Sequence, residues 1–211
     1  ISETASRAAL VMKVVPGIEV FGGIVLNNAV GGINPAAVEW MHRFYGSRGK
    51  IVWLPTFESD KHVKTFGKPT DKGIEVAPDG KVLPAMDEVL KIIARENLLL
   101  ATGHVHPYEV VAVVRRAKEL GVKNIIVTHG LTTVPGLSMA QAKEVVGMGA
   151  VIEICYLQFQ AGPNAPLPFL VHWQQIGAKQ VAQAIKELGA QGLVALERES
   201  RSFARHFDSG A

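Results

Sequence analysis

Two apolar runs in this chain close on histidine. LLLATGHVHP (98–107) carries His104 and His106 at its end, and NIIVTHG (124–130) ends on His129. Imidazole nitrogens hold divalent metal ions or move protons near neutral pH, depending on what surrounds them. If the two runs are neighbouring parallel strands, their ends lie about 4.8 Å apart. They also lie on the face where parallel βα proteins carry their chemistry. That separation suits two nitrogens sharing one ion.

Further candidates cluster after the other runs. In an extended strand His104 and His106 point the same way, but Pro107 opens a helix, so His106 could instead flank its N-terminus. Glu58, Asp60 and His62 follow WLPTF. A carboxylate there would complete a mixed His/carboxylate shell; the alternative is a set of solvated loop charges. Glu153 sits inside AVIEICYL, where a charge is costly unless paired, so it is either a ligand or a paired structural carboxylate. Asn27 and Asn28 end EVFGGIVLNN and either bind substrate or satisfy a turn. His42 and His172 are expected at the surface or in packing, and His206 is assigned no role. Cys155, the single cysteine, is expected to act as a small buried hydrophobe.

These residues need a scaffold, and the hydrophobic pattern describes one. Apolar strands start near residues 24, 51, 98, 124, 150 and 192, with helical patterns between them. An opening helix over 2–14 stops at Pro16 and Gly17. The helix after GGINP has Asn34 as its N-cap and Pro35 at its first position, with Val38, Met41 and Tyr45 on its apolar face. Pro84 opens a helix through Glu96, PYEVVAVVRRAKELG is amphipathic, Ser138 caps SMAQAKEVVGMG, and a helix is expected over 169–188. The long connection 57–83 is expected to be a lid or binding loop, with a small hairpin around Pro78-Asp79-Gly80. Alternating strands and helices argue for a parallel α/β sheet. The pattern gives one domain over 1–196 and an irregular tail over 197–211. The chain opens on a helix, as though earlier strands were missing. A frayed natural terminus and a fragment are both consistent with its ends.

Composition excludes several classes. With 48% hydrophobic and 19% charged residues, the chain is globular rather than disordered. A net charge of +3, without a basic stripe, gives no support to nucleic-acid binding. No apolar run reaches the roughly 18 residues that span a bilayer, and no signal peptide is visible. One cysteine cannot build an internal disulfide framework and fits a reducing compartment. The expectation is a cytoplasmic protein with a small-molecule substrate. Open strand edges would make it a homo-oligomer.

The stretches GGIVLNNAVGGINPAAVEWMHRFYGSRGKIVWLPTFESDKHV and LLLATGHVHPYEVVAVVRRAKELGVKNIIVTH resemble a branch of the amidohydrolase-like, metal-dependent TIM-barrel hydrolases. The likeness runs from about Thr4 to Leu196. It implies a (β/α)8 barrel, of which about six βα units are visible, and a divalent metal (zinc first, manganese or iron next). The implied ligands are His104 on strand five, His129 on strand six and Glu58 after strand four, with GLVAL as strand eight. Two departures stand out. The first-strand HxH motif is absent. The proton-accepting aspartate after strand eight is also missing: Glu197 occupies roughly its place, and Asp208 lies too far along. No catalytic residue is therefore assigned. The resemblance implies hydrolysis of a small amide, ester, lactone or phosphoester by a metal-activated water. A relative that has lost the chemistry, and binds a metabolite or serves in an assembly, is the alternative. A doubly wound sheet with a phosphate at Gly22-Gly23 or Gly31-Gly32 is a third, requiring a reversal in strand order.

Overall fold

The structure is a computed structural model and describes residues 3–68 and 70–196. The tail over 197–211, with Glu197, His206 and Asp208, lies outside the described residues, as does Ser2. Six strands form one sheet: β1 (Gly22–Val25), β2 (Gly49–Trp53), β3 (Leu99–Ala101), β4 (Asn124–Val127), β5 (Val151–Cys155) and β6 (Leu193–Leu196). Every pairing is parallel, and the spatial order follows the chain, β1 through β6. The parallel α/β expectation holds. The doubly wound alternative does not, because its ligand site needs a strand-order reversal and this sheet has none. Among the described residues no pairing joins β6 back to β1.

The helices are α1 (Ala5–Val14), α2 (Pro35–Arg43), α3 (Asp60–Phe66), α4 (Pro84–Arg95), α5 (Pro107–Glu119), α6 (Met139–Gly147), α7 (Leu157–Gln160) and α8 (Ala178–Leu188). Their apolar stripes set their placement. In α4, Met86, Val89, Leu90 and Ile93 recur at helical spacing and are buried; in α5, Val110, Val113, Val114 and Ala117 do the same. These stripes meet Ile24, Val52, Leu100, Ile125, Val127 and Ile152, from alternate positions along the strands, in one large core. The other sheet face is thinner. Leu99, Ala101 and Ile126 are buried there against half-buried Ile51, Trp53 and Val151. The outer edge of β1 is partly covered: Thr4 N–H donates to the Gly23 carbonyl at 2.9 Å, and Glu3 bridges Ile24 antiparallel.

Several local expectations need correction. Asn34 does cap α2, accepting from Ala37 N–H, but Tyr45 lies past the helix end and is exposed, because the chain turns at Phe44. No hairpin forms around Pro78. That segment is a single 3-10 turn, and Val76 and Ala77 N–H donate to the buried Glu109 carboxylate at 2.7 and 2.8 Å instead of to a partner strand. The long connection contains α3. The helix expected over 169–188 starts only at Ala178; before it, Pro168–Leu170 is a short 3-10 turn. No helix among the described residues is long and apolar enough to cross a membrane.

Candidate functional site

The carboxyl ends of β2, β3 and β4 bring three imidazoles into a row. His104 Nε2 lies 3.0 Å from His129 Nε2, and His104 Nδ1 lies 2.9 Å from His62 Nδ1. His104 and His129 are buried, at 5% and 8% exposure.

Hydroxyls set this arrangement. Thr102 and Thr128 stand one residue beyond β3 and β4. Gly103 N–H donates to Thr128 Oγ1 at 3.0 Å, and Thr128 N–H donates to Thr102 Oγ1 at 3.2 Å. The two strand ends are thereby locked together just before their histidines. Gly103, at φ +58, lets the chain turn against β2. A Cβ there would meet the Leu54 carbonyl oxygen at 2.4 Å. His104 N–H then donates to the Pro55 carbonyl at 2.9 Å. Ser59 ties in the third ring. Its hydroxyl donates to the His104 carbonyl at 2.7 Å and accepts from His62 N–H at 3.2 Å as the cap of α3. His129 itself has a left-handed backbone, φ +29, a conformation that costs about 1–3 kcal/mol and collects at functional sites.

Aromatic rings enclose the row. Trp173, 4% exposed, packs edge-on to His129 and His104 at 5.4 and 5.9 Å between centroids. Phe57 lies 5.0 Å from His62 and 5.6 Å from His104. Phe57 and Phe169 are largely exposed at the rim. Desolvation dominates the electrostatics here. Burial pushes His62 and His129 down to about 4, with the Val134 and His129 carbonyls partly opposing it at His129. Burial, then its two imidazole neighbours, holds His104 well below the ordinary histidine range. All three rings are neutral at pH 7, the form in which imidazole binds a metal.

The other candidate residues sit around this row. His106 flanks α5, the second of its two expected placements, and its Nε2 is 2.9 Å from Asp60 Oδ2. Asp60 is 3% exposed and also pairs with Lys64 at 2.7 Å. Burial alone would raise its carboxyl, but the Lys64, His106 and Gly73 hydrogen bonds outweigh it and hold the group low. Glu153 accepts from His129 N–H at 2.8 Å; burial raises its carboxyl. Glu58 accepts from Asn28 N–H at 2.5 Å. Asn27 is committed to Thr56, its amide donating to Thr56 Oγ1 and its carbonyl accepting from Thr56 N–H, both at 3.0 Å. Cys155 is half-buried rather than fully buried. Burial and the Glu153 carboxylate push its thiol up, away from nucleophilic use.

Fit to a divalent ion is partial. The facing Nε2 atoms of His104 and His129 are two suitable donors. His62 cannot join them on that ion, because it meets the opposite nitrogen of His104, and the two nitrogens of one ring diverge. Glu153 and Glu58 each accept from a backbone N–H through one carboxylate oxygen. Among the described residues no group of three or more His, Cys, Asp or Glu is placed to hold an ion.

The model of a family described as a family of unknown function, DUF6282, matches residues 1–153. No curated protein is similar enough to match. Among solved structures, an amidohydrolase from Pseudomonas aeruginosa is similar at 11% identity with a TM-score of 0.46, covering 74% of this chain and 44% of that one. The chain thus spans less than half the length of that protein.

Proposed function

The chain belongs to DUF6282, a family of unknown function, and from that premise we propose a metal-dependent, hydrolase-like protein in which His104 and His129 hold a divalent cation, zinc first. The observation that carries this is the pair of buried, neutral imidazoles whose Nε2 atoms face each other 3.0 Å apart at the carboxyl edge of the sheet. The sequential parallel strand order supports a TIM-barrel-like arc rather than a doubly wound sheet. Held by His104 and His129, a divalent ion would polarise a C=O or P–O bond and lower the pKa of a water toward neutrality.

The protein's own groups do the rest. Thr102, Thr128 and Ser59 orient the rings. Buried Trp173 excludes water from the row, which strengthens the electrostatic interactions inside. Glu58 is the carboxylate to test as a third ligand. The substrate class is a small amide, ester, lactone or phosphoester. One half-buried cysteine fits a reducing, cytoplasmic setting.

A second reading has its own support. No third ligand stands in place among the described residues, which favours a non-catalytic relative that binds a small molecule under the aromatic rim. Assay of purified protein on a panel of esters, amides, lactones and phosphoesters separates the two. The first reading expects turnover that a chelator abolishes and zinc restores. Zinc uptake without turnover on any substrate supports the second.

A further inference from the structure

We infer that Thr132 is a positioning residue that fixes the tautomer of His129, and through it the direction of the whole imidazole row. Thr132 Oγ1 lies 2.8 Å from the His129 carbonyl oxygen, 2.8 Å from the Val134 carbonyl oxygen and 3.0 Å from His129 Nδ1. The hydroxyl has one proton. Carbonyl oxygens only accept, so that proton belongs to them; placed on the ring side, it would leave three oxygens crowded without a hydrogen between them. Toward His129 the hydroxyl therefore accepts. His129 carries its proton on Nδ1, and its Nε2 lone pair faces His104.

The remaining assignments follow from the contacts. His104 Nε2, at 3.0 Å from a bare nitrogen, must donate, so its Nδ1 is bare. His62 then donates from Nδ1 to His104 Nδ1 at 2.9 Å and keeps its own Nε2 lone pair. In the cation-free protein every contact in the row is satisfied by one set of tautomers. The Thr132 backbone helps to hold the geometry, since its N–H donates to the His129 carbonyl at 3.0 Å, closing the turn that carries the left-handed His129.

The value of this arrangement for cation binding rests on the His104–His129 proposal: the Nδ1–H form of His129 keeps its Nε2 lone pair on the side facing His104, and an ion held by both Nε2 atoms would require the His104 proton to move to Nδ1 and the His62 proton to its Nε2. The tautomer itself depends only on the hydrogen bonds. The test is a long-range 1H–15N spectrum of imidazole-labelled, cation-free protein near pH 7.5, with zinc added afterwards. The expected result is the Nδ1–H form at His129, Nε2–H at His104 and Nδ1–H at His62. Thr132→Ser should preserve it. Thr132→Val should lose the Nδ1–H form of His129 and raise the zinc dissociation constant about tenfold or more. An Nε2–H form at His129 in the wild type overturns the inference, even if Thr132→Val fails to fold. So does retention of the Nδ1–H form in a folded Thr132→Val protein. The predicted tautomers without zinc uptake would uphold the inference and defeat the metal proposal.

Discussion

At the scale of single residues, hydroxyls hold the histidines in place. Thr128 accepts from the buried Gly103 N–H. Thr128→Val keeps the shape but orphans that donor, which costs about 1–3 kcal/mol. Urea denaturation should show a midpoint lowered accordingly; a loss below about 0.5 kcal/mol would mean the strand ends are held by other contacts. His104 and His129 were legible in the sequence because an apolar run ending in histidine names both the residue and its edge of the sheet. The partners were not. Thr102 and Thr128 meet across 26 positions, and Ser59 reaches His104 across 45; nothing local in ATGH or VTHG announces those bonds. His62 stood among the possible additional metal ligands, in the long 57–83 connection. Its place in the row required α3, which spans just seven residues and has a weak signal beyond the Ser59 cap. Trp173 was missed outright, because the expected helix over 169–188 would have placed it on a helix face instead of over the histidines.

At the scale of elements, two features hold the loops that carry the site. Glu109, fully buried on the first turn of α5, accepts from Val76, Ala77 and His106 N–H at 2.7, 2.8 and 3.0 Å. One carboxylate thus anchors the loop that replaces the expected hairpin. Glu109→Ala leaves three N–H groups without their acceptor, and hydrogen bonds to a charged group contribute about 1.5–3 kcal/mol each. The expected outcome is a loss of at least about 3 kcal/mol, with rapid proteolytic cleavage within 67–83; a stable, protease-resistant variant would refute this anchoring role. Gly103 is the second feature. Gly103→Ala would combine a left-handed φ with a Cβ 2.4 Å from the Leu54 carbonyl oxygen, so the β3 end must shift and take His104 with it. Zinc affinity should fall along with stability, and unchanged affinity would count against the geometry. Long helices with clean apolar stripes, such as α4 and α5, were readable from periodicity. Residues 57–83 were not, because their conformation is dictated by partners elsewhere in the chain: Glu109 for Val76 and Ala77, His106 for Asp60 and Asn28 for Glu58.

At the scale of the whole molecule, the parallel sheet was legible because buried strands alternating with amphipathic helices admit few other arrangements. The strand order was not, since periodicity carries no information on neighbours. The buried imidazoles also tie global stability to pH. In the unfolded chain histidine takes up its proton near pH 6.5; in the folded protein His62 and His129 resist until about 4. Between those values the unfolded state binds more protons, so stability is fully present above 6.5 and falls as pH drops toward 4. The slope is up to about 1.4 kcal/mol per pH unit for each fully buried ring, and less for the half-exposed His62. Glu153, raised by burial, acts in the opposite sense, so the comparison is with His129→Asn, which keeps it. Urea melts from pH 7 to 4.5 should show a steeper loss in the wild type than in the variant; parallel curves would mean that His129 is not held neutral.

The most direct test of the account is zinc binding to apo protein by calorimetry, checked by elemental analysis. The account predicts about one equivalent bound, binding lost in both His104→Ala and His129→Ala, and binding kept in His106→Ala, whose ring is paired with Asp60 away from the facing Nε2 atoms. Failure of the wild type to take up zinc, or full uptake by the His104 and His129 variants, would contradict it.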